Sequence, residues 1–165
     1  MKQILIISCF ELLELKKSLV LLEKASKEKD FKLTASLTKN LKKLRKEFTL
    51  SDVVLVISLF LPDLFMRLML PQEPTDIPEG VDQEKFLHCT TERMEELSKP
   101  AEIQLFLYDL LLMKLIDDGD YKNAKEFGDF IYARLKNVNL RTLDHLGAKA
   151  MYFIAVANEK MGLLA

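Results

Sequence analysis

From Glu102 to Ile116, eleven of fifteen residues are apolar: Ile103, Leu105, Phe106, Leu107, Tyr108, Leu110, Leu111, Leu112, Met113, Leu115 and Ile116. Only Glu102, Gln104, Asp109 and Lys114 remain as a thin polar strip. A helix with this pattern has no broad solvent face, so neighbouring elements must cover most of its circumference. The other apolar run, Val53 to Leu61, is too short to span a bilayer and ends at Pro62-Asp63, so no transmembrane segment is expected. The run from Glu102 to Ile116 is the buried centre of something helical.

The residues around it supply the cover. Asp117-Asp118-Gly119-Asp120 stops one helix and starts another. Gly119 suits the left-handed position past a helix end, and Asp120 suits the N-cap of the next helix. From Tyr121 to Leu135, residues Tyr121, Ala124, Phe127, Gly128, Ile131 and Leu135 recur at helical spacing, with small Ala124 and Gly128 expected to admit the preceding helix closely. A third pattern runs from Leu140 to Met161, with Leu143, Leu146, Ala150, Phe153, Ile154 and Ala157 on one face. Met151, Tyr152, Ala155 and Val156 widen that face, so the helix expects a partner on its far side. Antiparallel helix pairs joined by tight Gly-Asp turns are the unit of a solenoid. The expected fold is all-α: a tetratricopeptide-like, right-handed helical-repeat solenoid of antiparallel helix pairs, ending in mid-repeat.

Composition agrees. Among 165 residues, 49% are hydrophobic and 30% charged, with only five glycines and five prolines. Such a chain builds helices and is long enough to bury a core. Cys9 and Cys89 make no disulfide framework and read as reduced thiols of an intracellular protein. The apolar run Ile4 to Phe10 is short, and Glu11 and Glu14 interrupt its continuation, so it reads as the start of a first helix rather than a signal peptide. Leu12, Leu15, Leu19 and Leu22 carry that helix forward. Leu33, Leu37, Leu41, Leu44 and Phe48 form another helical face, and further helices are expected from Val53 to Leu61, Asp63 to Leu70, and Asp82 to Leu97. The organisation expected is a helical region over 1–70, a proline-rich linker over 71–81, and a helical-repeat segment over 82–165.

Charge is unevenly placed although the net charge is −1. Lys16 to Lys46 holds eleven lysines and arginines against three acidic residues, and Glu47 to Phe130 holds eighteen acidic against seven basic. Lys39, Lys42, Lys43 and Lys46 lie off the apolar face of their helix. No aromatic residue lies between Phe31 and Phe48 to stack on a base, so a solvated or protein-docking face is favoured over nucleic-acid binding. Neither nucleic acid nor membrane is an expected partner.

Chemistry-bearing motifs are sparse. Asp117, Asp118 and Asp120 are a possible metal cluster, but a helix stop and cap explains them, and no calcium-loop ladder closed by a glutamate follows. His88 and Cys89 are adjacent and so point about 100° apart on a helix. His145 stands alone. Phosphate-binding, nucleophile-elbow and zinc-protease motifs are absent from the sequence. Catalytic, metal and cofactor-binding residues are therefore expected to be none.

One block carries a resemblance. Asn139, Arg141, Leu143 and Asp144, followed by Ala148-Lys149 and Tyr152-Phe153, resemble a pattern of the 26S proteasome non-ATPase regulatory subunit 3 family. The apolar helix from Glu102-Ile103 to Leu107 and the turn from Asp118 to Ala124 are similar too. The family's tyrosine-rich run is thinned here to Met151-Tyr152-Phe153, and its long low-complexity N-terminus and C-terminal winged-helix (PCI) domain are not expected within these 165 residues. The resemblance implies a non-catalytic lid scaffold in ubiquitin-dependent degradation, cytoplasmic and nuclear. It implies as partners other lid subunits, including a small acidic disordered one. Leu143, Lys149, Tyr152, Phe153 and Val156 are the candidate interface residues. A subunit of a related assembly (the COP9 signalosome or a translation initiation factor complex) or a freestanding peptide-binding adaptor are the alternatives.

Overall fold

The computed structural model describes residues 9–64 and 91–163. Among these the regular elements are all helical. They are α1 (Cys9–Glu28), α2 (Phe31–Thr38), α3 (Asn40–Glu47), α4 (Leu50–Phe60), α5 (Thr91–Ser98), α6 (Ala101–Asp117), α7 (Tyr121–Leu135), a 3₁₀ turn (Arg141–Leu143) and α8 (Asp144–Lys160). The expected helix from Asp63 to Leu70, the linker over 71–81 and the beginning of the helix expected from Asp82 lie mainly outside the described residues.

α6 is the axis. It touches α1, α3, α4, α5, α7, α8 and the 3₁₀ turn, and thirteen of its seventeen residues are buried. Each fully buried leucine or phenylalanine there contributes about 1.5–3 kcal/mol before chain entropy is subtracted. The polar strip is not the solvent face that its sequence suggests. Glu102 and Asp109 are buried, while Gln104 and Lys114 are half-buried. Gln104 donates to the Ser98 carbonyl and accepts from Arg134, and Lys114 donates to the Arg45 carbonyl at 3.1 Å.

The turn from α6 to α7 has the expected chemistry. Gly119 is left-handed at φ +77°. Its amide donates to the Ile116 carbonyl and the Asp120 amide donates to the Leu115 carbonyl, which is a Schellman closure. Asp120 then caps α7 by accepting from the Asn123 amide. The turn from α1 to α2 repeats this. Lys29 is left-handed at φ +53°, its amide donates to Ser26, and Asp30 donates to Ala25. Asp30 caps α2 by accepting from the Lys32 and Leu33 amides. Asp30-Phe31-Lys32 and Asp120-Tyr121-Lys122 follow the two turns, with small Thr34 and Ala124 four residues after each cap. Two helix pairs of one design, α1–α2 and α6–α7, thus occur in the chain.

Several expectations shift in detail. The face Leu33 to Phe48 belongs to two helices, not one. Thr38 turns its hydroxyl back on the Thr34 carbonyl at 2.8 Å, and Lys39 and Lys42 make only i-to-i−3 bonds across the join. Back-bonding by threonine bends helices. α4 starts at Leu50 rather than Val53 because Thr49 and Asp52 form a capping box, each side chain taking the other's amide. Gly128 admits α8, not the preceding α6. A methyl group there would sit 3.1 Å from Ile154 Cγ1.

Candidate interaction surface

Two carboxylate–arginine clamps hold the helices in place. On α1, Glu23 is 7% exposed and accepts from both terminal nitrogens of Arg93 on α5. The guanidinium holds the Glu23 carboxyl below its ordinary range. On α3, Arg45 donates through Nε to Asp117 at 2.8 Å and through a terminal nitrogen to the other oxygen. The same guanidinium lies 5.1 Å from the centre of the Phe153 ring on α8, joining three helices. Arg141, in the 3₁₀ turn, stacks 4.3 Å from the Phe31 ring of α2.

α8 presents the outward surface. Of the expected interface residues, Leu143 (6% exposed) and Phe153 (7%) are committed to the chain's own core. Lys149 and Val156 are half-buried, and Tyr152 is 64% exposed. The structure therefore divides the five. Tyr152 projects, packed edge-on against Phe153 with ring centres 5.1 Å apart. Met151 and Met161 are exposed on the same helix system, and Leu163 just beyond it. Beside Met151 runs a groove of about 340 Å³ between α7 and α8, lined by Tyr132, Leu135, Val138, Leu140 and Leu143 over a floor of Gly147 and Ala148. Tyr132, Val138 and Leu140 are themselves more than a third exposed. Exposed large apolar side chains thus lie along α8 and around the groove at its start, while Leu13, Val20 and Leu21 are exposed on α1.

A second groove, of about 950 Å³, opens where α4, α5, α6 and α7 meet. Arg134 lies 5.9 Å from the Tyr108 ring and 5.6 Å from the Phe130 ring there. Burial raises the Tyr108 phenol above its ordinary value.

The basic span divides by partner. Lys17, Lys24, Lys27 and Lys43 pair with glutamates of their own or a neighbouring helix. Lys32, Lys39, Lys42 and Lys46 are exposed and make no ion pair among the described residues. They gather on α2, α3 and the join between them.

Asp117, Asp118 and Asp120 are occupied as a clamp, a helix end and a cap. Among the described residues no group of three or more His, Cys, Asp or Glu is disposed to hold a metal ion. No helix among them is long and apolar enough to cross a membrane. His145 is exposed on α8, and His88 and Cys89 lie outside the described residues.

Sequence reasoning passed over Arg45 and the Lys29-Asp30 turn. The shared Asp–aromatic–Lys signature after each turn was the available signal for the second. Nothing local marked Arg45, whose partners lie far along the chain.

Comparison with known proteins places this architecture. The family model described as PSMD3-like, N-terminal TPR repeats matches residues 9–165. The 26S proteasome non-ATPase regulatory subunit 3 homolog A of Arabidopsis thaliana is 38% identical over 66 residues, covering 40% of this chain and 14% of that protein. The probable 26S proteasome non-ATPase regulatory subunit 3 of Drosophila melanogaster is 45% identical over 64 residues, covering 38% of this chain and 13% of that protein. The corresponding Nicotiana tabacum protein is 38% identical over 64 residues. These alignments span a small part of the relatives' own length. No solved structure matches. With its match running from the first described helix to the chain end, this chain belongs to the PSMD3-like family of N-terminal tetratricopeptide repeats.

Proposed function

We propose that the chain is a non-catalytic scaffold of the 26S proteasome lid, supporting assembly for ubiquitin-dependent protein degradation in the cytoplasm and nucleus. The observation that carries this is family membership over residues 9–165. The relatives' own names, non-ATPase regulatory subunit 3, supply the assembly. The helical stack supplies a rigid support, and the α7–α8 end supplies a surface on which another lid subunit docks.

In this reading Tyr152 is the leading contact, with Lys149 and Val156 at its edges. Leu143 and Phe153 hold the surface in shape from beneath. The exposed lysines Lys32, Lys39, Lys42 and Lys46 form the face for a small acidic disordered subunit. A flexible acidic segment gains from such a face by charge pairing without a deep pocket.

Affinity purification of the tagged chain followed by mass spectrometry tests the proposal. Lid subunits are expected with the unaltered chain and are expected to be lost with Tyr152→Asp, while circular dichroism stays helical. Reversal of Lys39, Lys42 and Lys46 to Glu is expected to lose the acidic subunit alone. Recovery of a different helical-repeat assembly would overturn the proteasome reading.

A further inference from the structure

α8 has an outer face that no helix covers among the described residues. Its inner side, Leu146, Ala150, Phe153, Ile154 and Ala157, is buried against the chain. On the outer side Asp144, Ala148, Met151, Tyr152, Ala155 and Glu159 are exposed and recur at helical spacing. The middle of that face is apolar, with Met151 43% and Tyr152 64% exposed. Small Ala148 and Ala155 on either side of them leave room for a second helix to approach closely.

The ends of the face are charged. Each carries an acidic side chain and a basic one: Asp144 with His145 at the start, Glu159 with Lys160 at the finish, all four exposed. Elsewhere Lys17, Lys43, Arg45, Arg93 and Lys125 are engaged in ion pairs. None of the four end residues of α8 makes an ion pair among the described residues.

These charges complement a copy of themselves. In an antiparallel pair of α8 helices with a two-fold axis at Tyr152, positions equally far before and after Tyr152 face each other. Asp144 and Lys160 are each eight residues from the axis, and His145 and Glu159 each seven. Every end position therefore meets its opposite, Ala148 meets Val156, and Tyr152 meets its own copy. The opposed helix dipoles favour the same direction. A parallel pair would instead set Asp144 against Asp144 and Lys160 against Lys160. Met161, 40% exposed, falls level with Leu143 of the copy, at the groove lined by Val138, Leu140 and Met151. Within one chain Met161 and that groove are held apart by the length of α8, about 27 Å at 1.5 Å per residue.

We propose that α8 is a self-complementary interface on which a second copy of this chain docks antiparallel about Tyr152. Each copy offers the same patch, so the association closes at two. One 17-residue helix per copy buries less than the about 800 Å² per partner of a standard interface. The pair is therefore weak, and the free chain exchanges between monomer and dimer at micromolar or higher concentration. Pairing also withholds Tyr152 until a lid subunit displaces the copy. That consequence rests on the lid-docking reading; the pairing itself belongs to the free chain.

Sedimentation equilibrium of the full 165-residue chain over a concentration series tests this. A reversible monomer–dimer equilibrium that weakens as salt is raised is expected. Asp144→Lys and Lys160→Asp, each alone, set like charges together twice per dimer and are expected to raise the dissociation constant about three- to tenfold. Mixed one to one, the two variants are expected to recover the dimer, because every end contact again joins opposite charges. In a Cys9→Ser, Cys89→Ser background, Tyr152→Cys is expected to give a disulfide-linked dimer on oxidation, whereas Lys32→Cys on α2 is not. Circular dichroism checks that each variant keeps its helices. A chain monomeric across the series, or a dimer indifferent to both charge reversals and to their mixing, would overturn the pairing. Capture of lid subunits unaffected by Tyr152→Asp would instead overturn the docking surface and leave the pairing standing.

Discussion

Arg45 grips Asp117 with two hydrogen bonds, fastening the end of α3 to the end of α6. The residues are far apart in sequence, and each side chain is about one-third exposed, Arg45 33% and Asp117 32%. Solvent screening therefore trims the ion pair to the upper part of the surface range. Adding the stack on Phe153, Arg45→Ala is expected to destabilise the chain by about 1–2 kcal/mol. Arg45→Lys should recover little, since an ammonium cannot supply the paired geometry or the flat face. Urea unfolding of the three proteins checks this.

The clamp also fixes a pH dependence. Arg45 lowers the Asp117 carboxyl and Arg93 lowers the Glu23 carboxyl. A lowered folded-state value means that the stabilisation is complete above the unfolded values of about 3.9 and 4.3. It is lost as pH falls below them through the folded values. Acid unfolding of Arg45→Ala should show a shallower loss over that window.

Asp109 works in the opposite sense. Its folded-state value is raised, so the folded chain keeps a proton that the unfolded chain has released. Its contribution is complete below the unfolded value of about 3.9 and declines as pH rises toward the folded value. Asp109→Leu should raise stability at neutral pH by about 1–3 kcal/mol, because a neutral side chain replaces an unsatisfied polar one. The advantage should shrink as pH is lowered. Denaturant melts at several pH values read it directly.

At the left-handed position the two matching turns carry different residues, Lys29 against Gly119. A side chain at positive φ costs about 1–2 kcal/mol, which glycine avoids. Lys29→Gly should therefore stabilise the chain by up to about 1 kcal/mol, and Gly119→Ala should destabilise it by about 1 kcal/mol. Thermal melts of both variants test whether the turns are equivalent.

Much of this was legible in the residues themselves. Helix α7 runs from Tyr121 to Leu135, as its apolar spacing and the Gly-Asp turn before it dictate. The buried core of α6 follows from having too few polar residues to face water. What could not be read were relations between distant residues. Thr38 bending one helical face into two depends on a hydroxyl choosing a carbonyl, and Gly128 facing Ile154 depends on where α8 returns. The burial of Leu143 and Phe153 is of the same kind. Periodicity put them on an apolar face, but only packing decides whether that face meets the chain's own core or a partner. The identity of Asp109 as a buried carboxyl was visible as an interruption in an apolar run, without its lack of partners.

A photo-reactive amino acid in place of Tyr152 would report most directly on whether α8 is a docking surface within the proteasome. Irradiation of cells expressing that chain, followed by mass spectrometry of the joined product, should yield a covalent adduct with a proteasome lid subunit. The same group in place of exposed Lys32 on α2 should yield a different neighbour. Intact proteasomes containing the chain but joined to nothing through position 152 would contradict the assignment of this surface, and absence of the chain from proteasomes would contradict the scaffold role itself.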